Sequence, residues 1–307
     1  MPHKAPPSPT CASSASIDIT NTTTTNNNHD RESSSTTWRP YRPPPTPTAD
    51  QDPTTNNNNH DPPLDPALLP TGEKSLAGIS LRAFLLGTVL GLTISLTILL
   101  LTPPLYTPLW RIPFFLANLA LFHFLEYYVT AAHNTRFAGI SAFLLSSNGA
   151  AYNIAHGSAI LECLVSHVVF PDEGVYPGAK LAPSVTVRVL LGLGLMVVGQ
   201  TVRTLAMVQA GSNFNHTVQV TRREGHRLVT SGMYAVFRHP SYFGFFWWGL
   251  GTQLVLSNVV CFVGYSLVLW RFFSSRIYRE EKFLVAFFGE EYEQYKKRSW
   301  VGIPGIY

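Results

Sequence analysis

The stretch Leu81-Arg-Ala-Phe-Leu-Leu-Gly-Thr-Val-Leu-Gly-Leu-Thr-Ile-Ser-Leu-Thr-Ile-Leu-Leu-Leu101 sets the fold class. It runs the length of a bilayer's hydrocarbon core with one charge, Arg82, at its edge, and Pro103-Pro104 ends it. A chain buried in lipid must pair every backbone amide within its own element, so the run is read as a helix. Similar runs follow at Pro113–Ala131, Leu144–Phe170 and Val185–Val208. Two shorter runs, Tyr242–Ser257 and Val259–Ser274, meet at Asn258 and are read as a helical hairpin. The expectation is an all-α integral membrane protein of about six transmembrane helices, with none of the alternation of a membrane barrel.

Composition divides the chain into a tail over 1–75 and a membrane domain over 76–307. The first part holds Thr22 to Asn28, Asn56 to Asn59 and Pro43-Pro44-Pro45, with few large apolar residues. Such a segment buries too little to offset its ordering entropy, so a disordered, low-complexity tail is expected. No apolar run lies near Met1, so no signal peptide is expected there. Cys11, Cys163 and Cys261 are too scattered for a disulfide framework or a metal site. A net charge of +4 without a basic stripe argues against nucleic acid as a partner.

Six spans would put both termini on one side. Arg222, Arg223, Arg227, Lys282, Lys296, Lys297 and Arg298 share that side, and the positive-inside bias makes it cytosolic. Phe283–Tyr295 has an apolar face and reads either as a helix on the membrane surface or as one packed on the protein. Gly87 and Gly91 are spaced for a close helix neighbour. Gly192, Gly194 and Gly199 mimic a dinucleotide fingerprint but lie inside an apolar span, so packing is the better reading. Gln200 and Arg203 could line a cavity, or Arg203 could snorkel to the surface.

Polar residues concentrate in two places: Asn213 to Tyr242, and Arg271, Arg276, Arg279, Glu280 and Glu281. Arg276 and Glu280 stand one helical turn apart and share a face. Arg238-His239-Pro240-Ser241-Tyr242-Phe243-Gly244, read with Ala210-Gly211-Ser212-Asn213-Phe214-Asn215-His216 and Trp270-Arg271-Phe272-Phe273, resembles the isoprenylcysteine carboxyl methyltransferase family. The likeness extends over Leu76 to Ile306.

The resemblance implies S-adenosyl-L-methionine as cofactor, held in a cytosolic pocket built from the C-terminal half. Its lining would include Gln219, His226, Arg227, Leu228, Val229, Tyr234, His239, Pro240, Ser241, Tyr242 and Glu280. Arg276 would meet the substrate carboxylate, with Arg276 and Glu280 as the catalytic pair. The implied substrates are prenylated CaaX proteins with farnesyl or geranylgeranyl cysteine ends, methyl-esterified by in-line transfer in the endoplasmic reticulum membrane. A prenylcysteine carboxylate is ionised at neutral pH, since such groups titrate near ~3.5, so no general base is needed. The RHPxYxG string is shared with phospholipid N-methyltransferases and NADPH-dependent sterol reductases, which stand as alternatives.

Overall fold

The computed structural model describes residues 64–146, 148–170, 184–222 and 224–307. The tail expected over 1–75 lies outside these up to residue 63, and so does Arg223. From residue 64 the described part of that segment carries local structure. Pro66–Leu68 form a 3-10 turn capped by Asp65, and Ser75 caps the first long helix through Gly78.

Among the described residues the long elements are all helices: α1 Leu76–Leu101, α2 Arg111–His133, α3 Gly149–Val169, α4 Val185–Ala210, α5 Pro240–Leu256, α6 Val260–Phe288 and α7 Glu290–Arg298. Four described stretches are long and apolar enough to cross a membrane: Leu76–Leu101, Pro108–His133, Val185–Asn213 and Val260–Phe288. The sequence expectation was about six. The other two helices coincide with expected spans but are weaker candidates. α3 carries Tyr152, Asn153, His156, Glu162 and His167, and α5 has only 17 residues.

Large apolar side chains such as Phe84, Leu92, Leu190, Leu267 and Val268 are exposed on these helices. Their proper solvent is lipid. α1 packs along α2, and α4 along α5.

The α4–α5 contact explains the glycines. A Cβ on Gly199 would lie 2.5 Å from the Gly244 carbonyl oxygen, and one on Gly192 would lie 2.7 Å from that of Gly251. The reciprocal substitutions meet the same obstacle, so two glycine pairs let antiparallel backbones touch. Gly194, by contrast, faces open space, and Gly87 and Gly91 meet no neighbour. Gly199→Ala is expected to cost about 1–3 kcal/mol through overpacking, because the obstacle is backbone that cannot rotate away. Thermal melting in detergent checks this: the variant should melt lower, while Gly194→Ala should not.

The α5–α6 hairpin forms as expected. Ser257 takes φ +61°, and the Asn258 amide donates to the Ala159 carbonyl and the Gln253 side-chain oxygen, each at 2.9 Å. No side chain of α6 itself caps that helix. Glu162 of α3 does so, accepting the amides of Val259, Val260 and Cys261 at 2.7–2.9 Å. A carboxylate at a helix N-terminus meets both orphan donors and dipole.

The far end of α6 differs from expectation. The helix continues past Ser274 to Phe288, and Gly289 at φ +53° breaks it from α7. The segment read over Phe283–Tyr295 is therefore two pieces. Tyr292 and Tyr295 are each 1 % exposed, so α7 packs on the protein rather than lying flat on the membrane.

Candidate active site

Pro240 begins α5 at the position where a missing amide proton costs nothing. This fixes the direction in which Arg238, His239, Ser241 and Tyr242 leave the backbone. Two anchors hold that end. The first is Arg203 on α4, whose guanidinium grips Glu126 of α2 through Nε at 2.5 Å and Nη2 at 2.7 Å. Its Nη1 donates to the Ser241 carbonyl at 3.1 Å and Oγ at 3.2 Å. Arg203 is thus buried and committed and does not snorkel. Gln200 bonds the neighbouring Thr204.

The second anchor is Glu281 on α6. It accepts Arg238 Nε at 2.6 Å and Lys296 Nζ at 2.6 Å, and lies 3.3 Å from His239 Nε2. Arg238, Lys296 and His239, from two other segments, thus converge on one buried carboxylate.

Beside these anchors opens a cavity of about 120 Å³. His226, Arg227, Leu228, Val229, Tyr234, His239, Pro240, Ser241, Tyr242 and Glu280 all line it. Gln219 does not; it is turned back on the Thr217 carbonyl at 3.2 Å. Arg276 stands behind the wall, joined to it through Tyr242. Its Nε donates to the Tyr242 hydroxyl at 2.8 Å, which in turn donates to Glu280 Oε2 at 2.5 Å. Arg276 Nη2 donates to the His216 carbonyl, and its charge lies over the Tyr242 ring at 5.3 Å. The His239 ring stacks on Tyr242 with centroids 5.4 Å apart and planes within 9°. Arg276 and His239 therefore both contact the same tyrosine.

Asn213, Phe214 and Asn215 also line the cavity, as do Leu284, Phe288, Tyr292 and Tyr295. The first three fall in the string Ala210–His216. Leu284 and Phe288 follow Glu280 at successive intervals of four, so extending its helical face would have found them. Tyr292 and Tyr295 reach the cavity only because the chain turns at Gly289.

Two buried polar atoms on this lining lack a partner: Arg238 Nη2 and Tyr292 OH. A cationic donor and a hydroxyl, set among aromatic rings, suit a ligand bearing a carboxylate, hydroxyls and a flat base. Burial pushes the Tyr234 hydroxyl well above the usual phenol range, so it stays protonated as a donor or acceptor.

A family model described as the isoprenylcysteine carboxyl methyltransferase (ICMT) family matches residues 191–286, which include α5 and most of the cavity wall. The protein-S-isoprenylcysteine O-methyltransferase of Saccharomyces cerevisiae is 43 % identical over 234 residues, 76 % of this chain and 93 % of the relative. The chain belongs to the isoprenylcysteine carboxyl methyltransferase family. The Schizosaccharomyces pombe relative of the same name is 42 % identical, covering 76 % of this chain and 96 % of its own length. The solved structure of the eukaryotic intramembrane Ras methyltransferase ICMT superposes with a TM-score of 0.66 at 34 % identity, covering 75 % of this chain and 77 % of that one. Family membership and the apolar helices together make this a membrane protein.

His216 sits where the site meets the α2–α4 pair, with Nδ1 3.7 Å from Glu126. Burial pushes its imidazole down to about 4; Arg203 and Arg276 act in the same direction and Glu126 against it. The unfolded imidazole titrates near ~6.5, so between those values the unfolded state binds the extra proton. Stability is therefore complete above about pH 6.5 and falls as pH drops towards 4, by an amount on the order of 3 kcal/mol. Melting curves of detergent-solubilised protein over this window should show the decline, and His216→Gln should flatten it.

Proposed function

We propose that this chain is the enzyme that methyl-esterifies the C-terminal prenylcysteine carboxylate of processed CaaX proteins, with S-adenosyl-L-methionine as donor. When bound, that cofactor supplies an activated methyl group for direct in-line transfer to a carboxylate oxygen. Its amino-acid carboxylate would be met by Arg238 Nη2 and His239. Its ribose hydroxyls would be met by Glu280 and Tyr292, and its base by the rings of Tyr234 and Tyr295.

The observation that carries this reading is the chain Arg276–Tyr242–Glu280, which ties a cation behind the wall to a carboxylate on the cavity. Arg276 holds Tyr242 and the His216 carbonyl with Nε and Nη2 and offers Nη1 to the acceptor carboxylate. A single contact orients the carboxylate without neutralising it, which preserves its nucleophilicity. Arg276 and Glu280 act as the catalytic pair, the second through Tyr242. Gln219 adjoins the site as a lip residue.

All six helices α1–α6 would cross the endoplasmic reticulum membrane, with the cavity facing the cytosol. A farnesyl or geranylgeranyl chain partitions into lipid and reaches Arg276 sideways, while the soluble donor enters from water. The methyltransferase domain would cover 76–307.

Purified membranes given labelled S-adenosyl-L-methionine test this. Base-labile methyl ester on N-acetyl-S-farnesylcysteine is the expected product. Label on phosphatidylethanolamine, or NADPH consumption with a sterol and no methyl ester, would replace the reading.

A further inference from the structure

Asn213 and Arg227 stand at the two feet of a loop that borders the candidate cavity. The Arg227 amide donates to Asn213 Oδ1 at 3.1 Å, and both residues line the cavity, as do Phe214, Asn215 and His226. Between the feet, residues 214–222 form neither helix nor strand. With no ladder or helix bonds of its own, such a segment takes its position from the contacts its side chains and carbonyls make.

Near the first foot, Arg276 Nη2 donates to the His216 carbonyl. Near the second, Arg222 reaches across to α6. Its Nη1 donates to the Phe287 carbonyl at 2.8 Å, and its guanidinium carbon lies 5.0 Å from the centre of the Phe288 ring. The end of the helix explains the residue type. Phe287 and Phe288 close α6, where the last carbonyls have no following turn to meet and carry the negative end of the helix dipole. A guanidinium supplies a donor, a charge and a flat cation for the ring together.

The ring held in this way belongs to the cavity. Phe288 lines it, and His226 from the loop meets the same ring edge-on with centroids 5.3 Å apart; the Phe287 ring lies 6.0 Å from His226. Arg222 itself does not line the cavity. It joins two walls that do, one from the loop and one from the end of α6, just before Gly289 turns the chain towards Tyr292 and Tyr295.

We propose that Arg222 is a positioning residue for the donor site: it draws the loop onto the end of α6 and so keeps His226 and Phe288 in the wall around the bound donor. This rests on the cofactor reading above and adds that affinity for the donor, rather than the transfer step, depends on Arg222.

Calorimetric titration of the detergent-purified full-length protein with S-adenosyl-L-homocysteine, the donor without its methyl group, tests this. Arg222→Ala should bind it about tenfold more weakly, the scale of one hydrogen bond from a charged donor. Arg222→Lys should recover most of that loss, because an ammonium can still meet the carbonyl and the ring. In labelled methyl transfer the KM for S-adenosyl-L-methionine should rise by the same factor. The kcat and the KM for N-acetyl-S-farnesylcysteine should hold, since Arg276 and Tyr242 keep their bond. The melting temperature without donor should match that of the unsubstituted protein, because Arg222 is exposed. A merely structural arginine would instead lower melting and kcat together. Should Arg222→Ala not fold, Arg222→Gln carries the same titration. Unchanged affinity in these variants, with binding intact in the unsubstituted protein, would overturn this inference alone. Absence of binding by the unsubstituted protein would overturn the cofactor reading with it.

Discussion

Arg276→Lys is expected to lower prenylcysteine methylation by ~100-fold while leaving the protein folded, the scale of loss that small misplacement of a reacting group produces. Lysine keeps the charge but not the plane. In the structure one guanidinium reaches the Tyr242 hydroxyl and the His216 carbonyl at once, with Nη1 still free to meet an acceptor. An ammonium on a flexible stem cannot hold all three in fixed register. The KM for the prenylcysteine should rise and kcat should fall, whereas the KM for S-adenosyl-L-methionine should change little, because Arg276 does not line the cavity. Labelled methyl transfer to N-acetyl-S-farnesylcysteine, with melting as a folding control, provides the measurement. Turnover near that of the unsubstituted enzyme would remove Arg276 from the mechanism.

That Arg276 is hydrogen-bonded to Tyr242 was not legible in the sequence. Spacing put Arg276 and Glu280 on one helical face, which a turn of helix guarantees. It could not say that a tyrosine 34 positions earlier would place its hydroxyl between them. The helices themselves were legible, because lipid imposes length and apolarity on every span. Their ends were less so. α6 outruns the apolar stretch by more than three turns, since its last part packs on protein and needs no uniform apolarity. Gly289 lies inside the segment Phe283–Tyr295 read as one helix, and only its φ of +53° shows it stopping one helix and starting another. Gly192 and Gly199 were correctly read as packing residues, but their partners Gly244 and Gly251 emerge only from the antiparallel pairing of α4 with α5.

The same limit leaves Arg203 open in the sequence between lining a cavity and snorkelling. Near the end of an apolar run, an arginine that snorkels and one that pairs inside look identical. The difference lies in Glu126, on another helix and 77 positions away. Glu126 is 1 % exposed and Arg203 6 %, so neither charge has water to fall back on. Glu126→Gln leaves the guanidinium buried without its counter-charge and is expected to cost about 3–5 kcal/mol, enough to deplete folded protein. Detergent melting and the yield of monodisperse protein would register the loss. Replacing both partners, as Glu126→Leu with Arg203→Leu, removes the orphaned charge and should recover much of that stability. Activity should not return with it. Ser241 would still lack the donor that holds its carbonyl and hydroxyl, and the start of α5 carries His239 and Tyr242 into the cavity wall. A stable double variant with a raised KM for S-adenosyl-L-methionine would mark the pair as positioning residues. Full activity in that variant would show that α5 needs no such anchor.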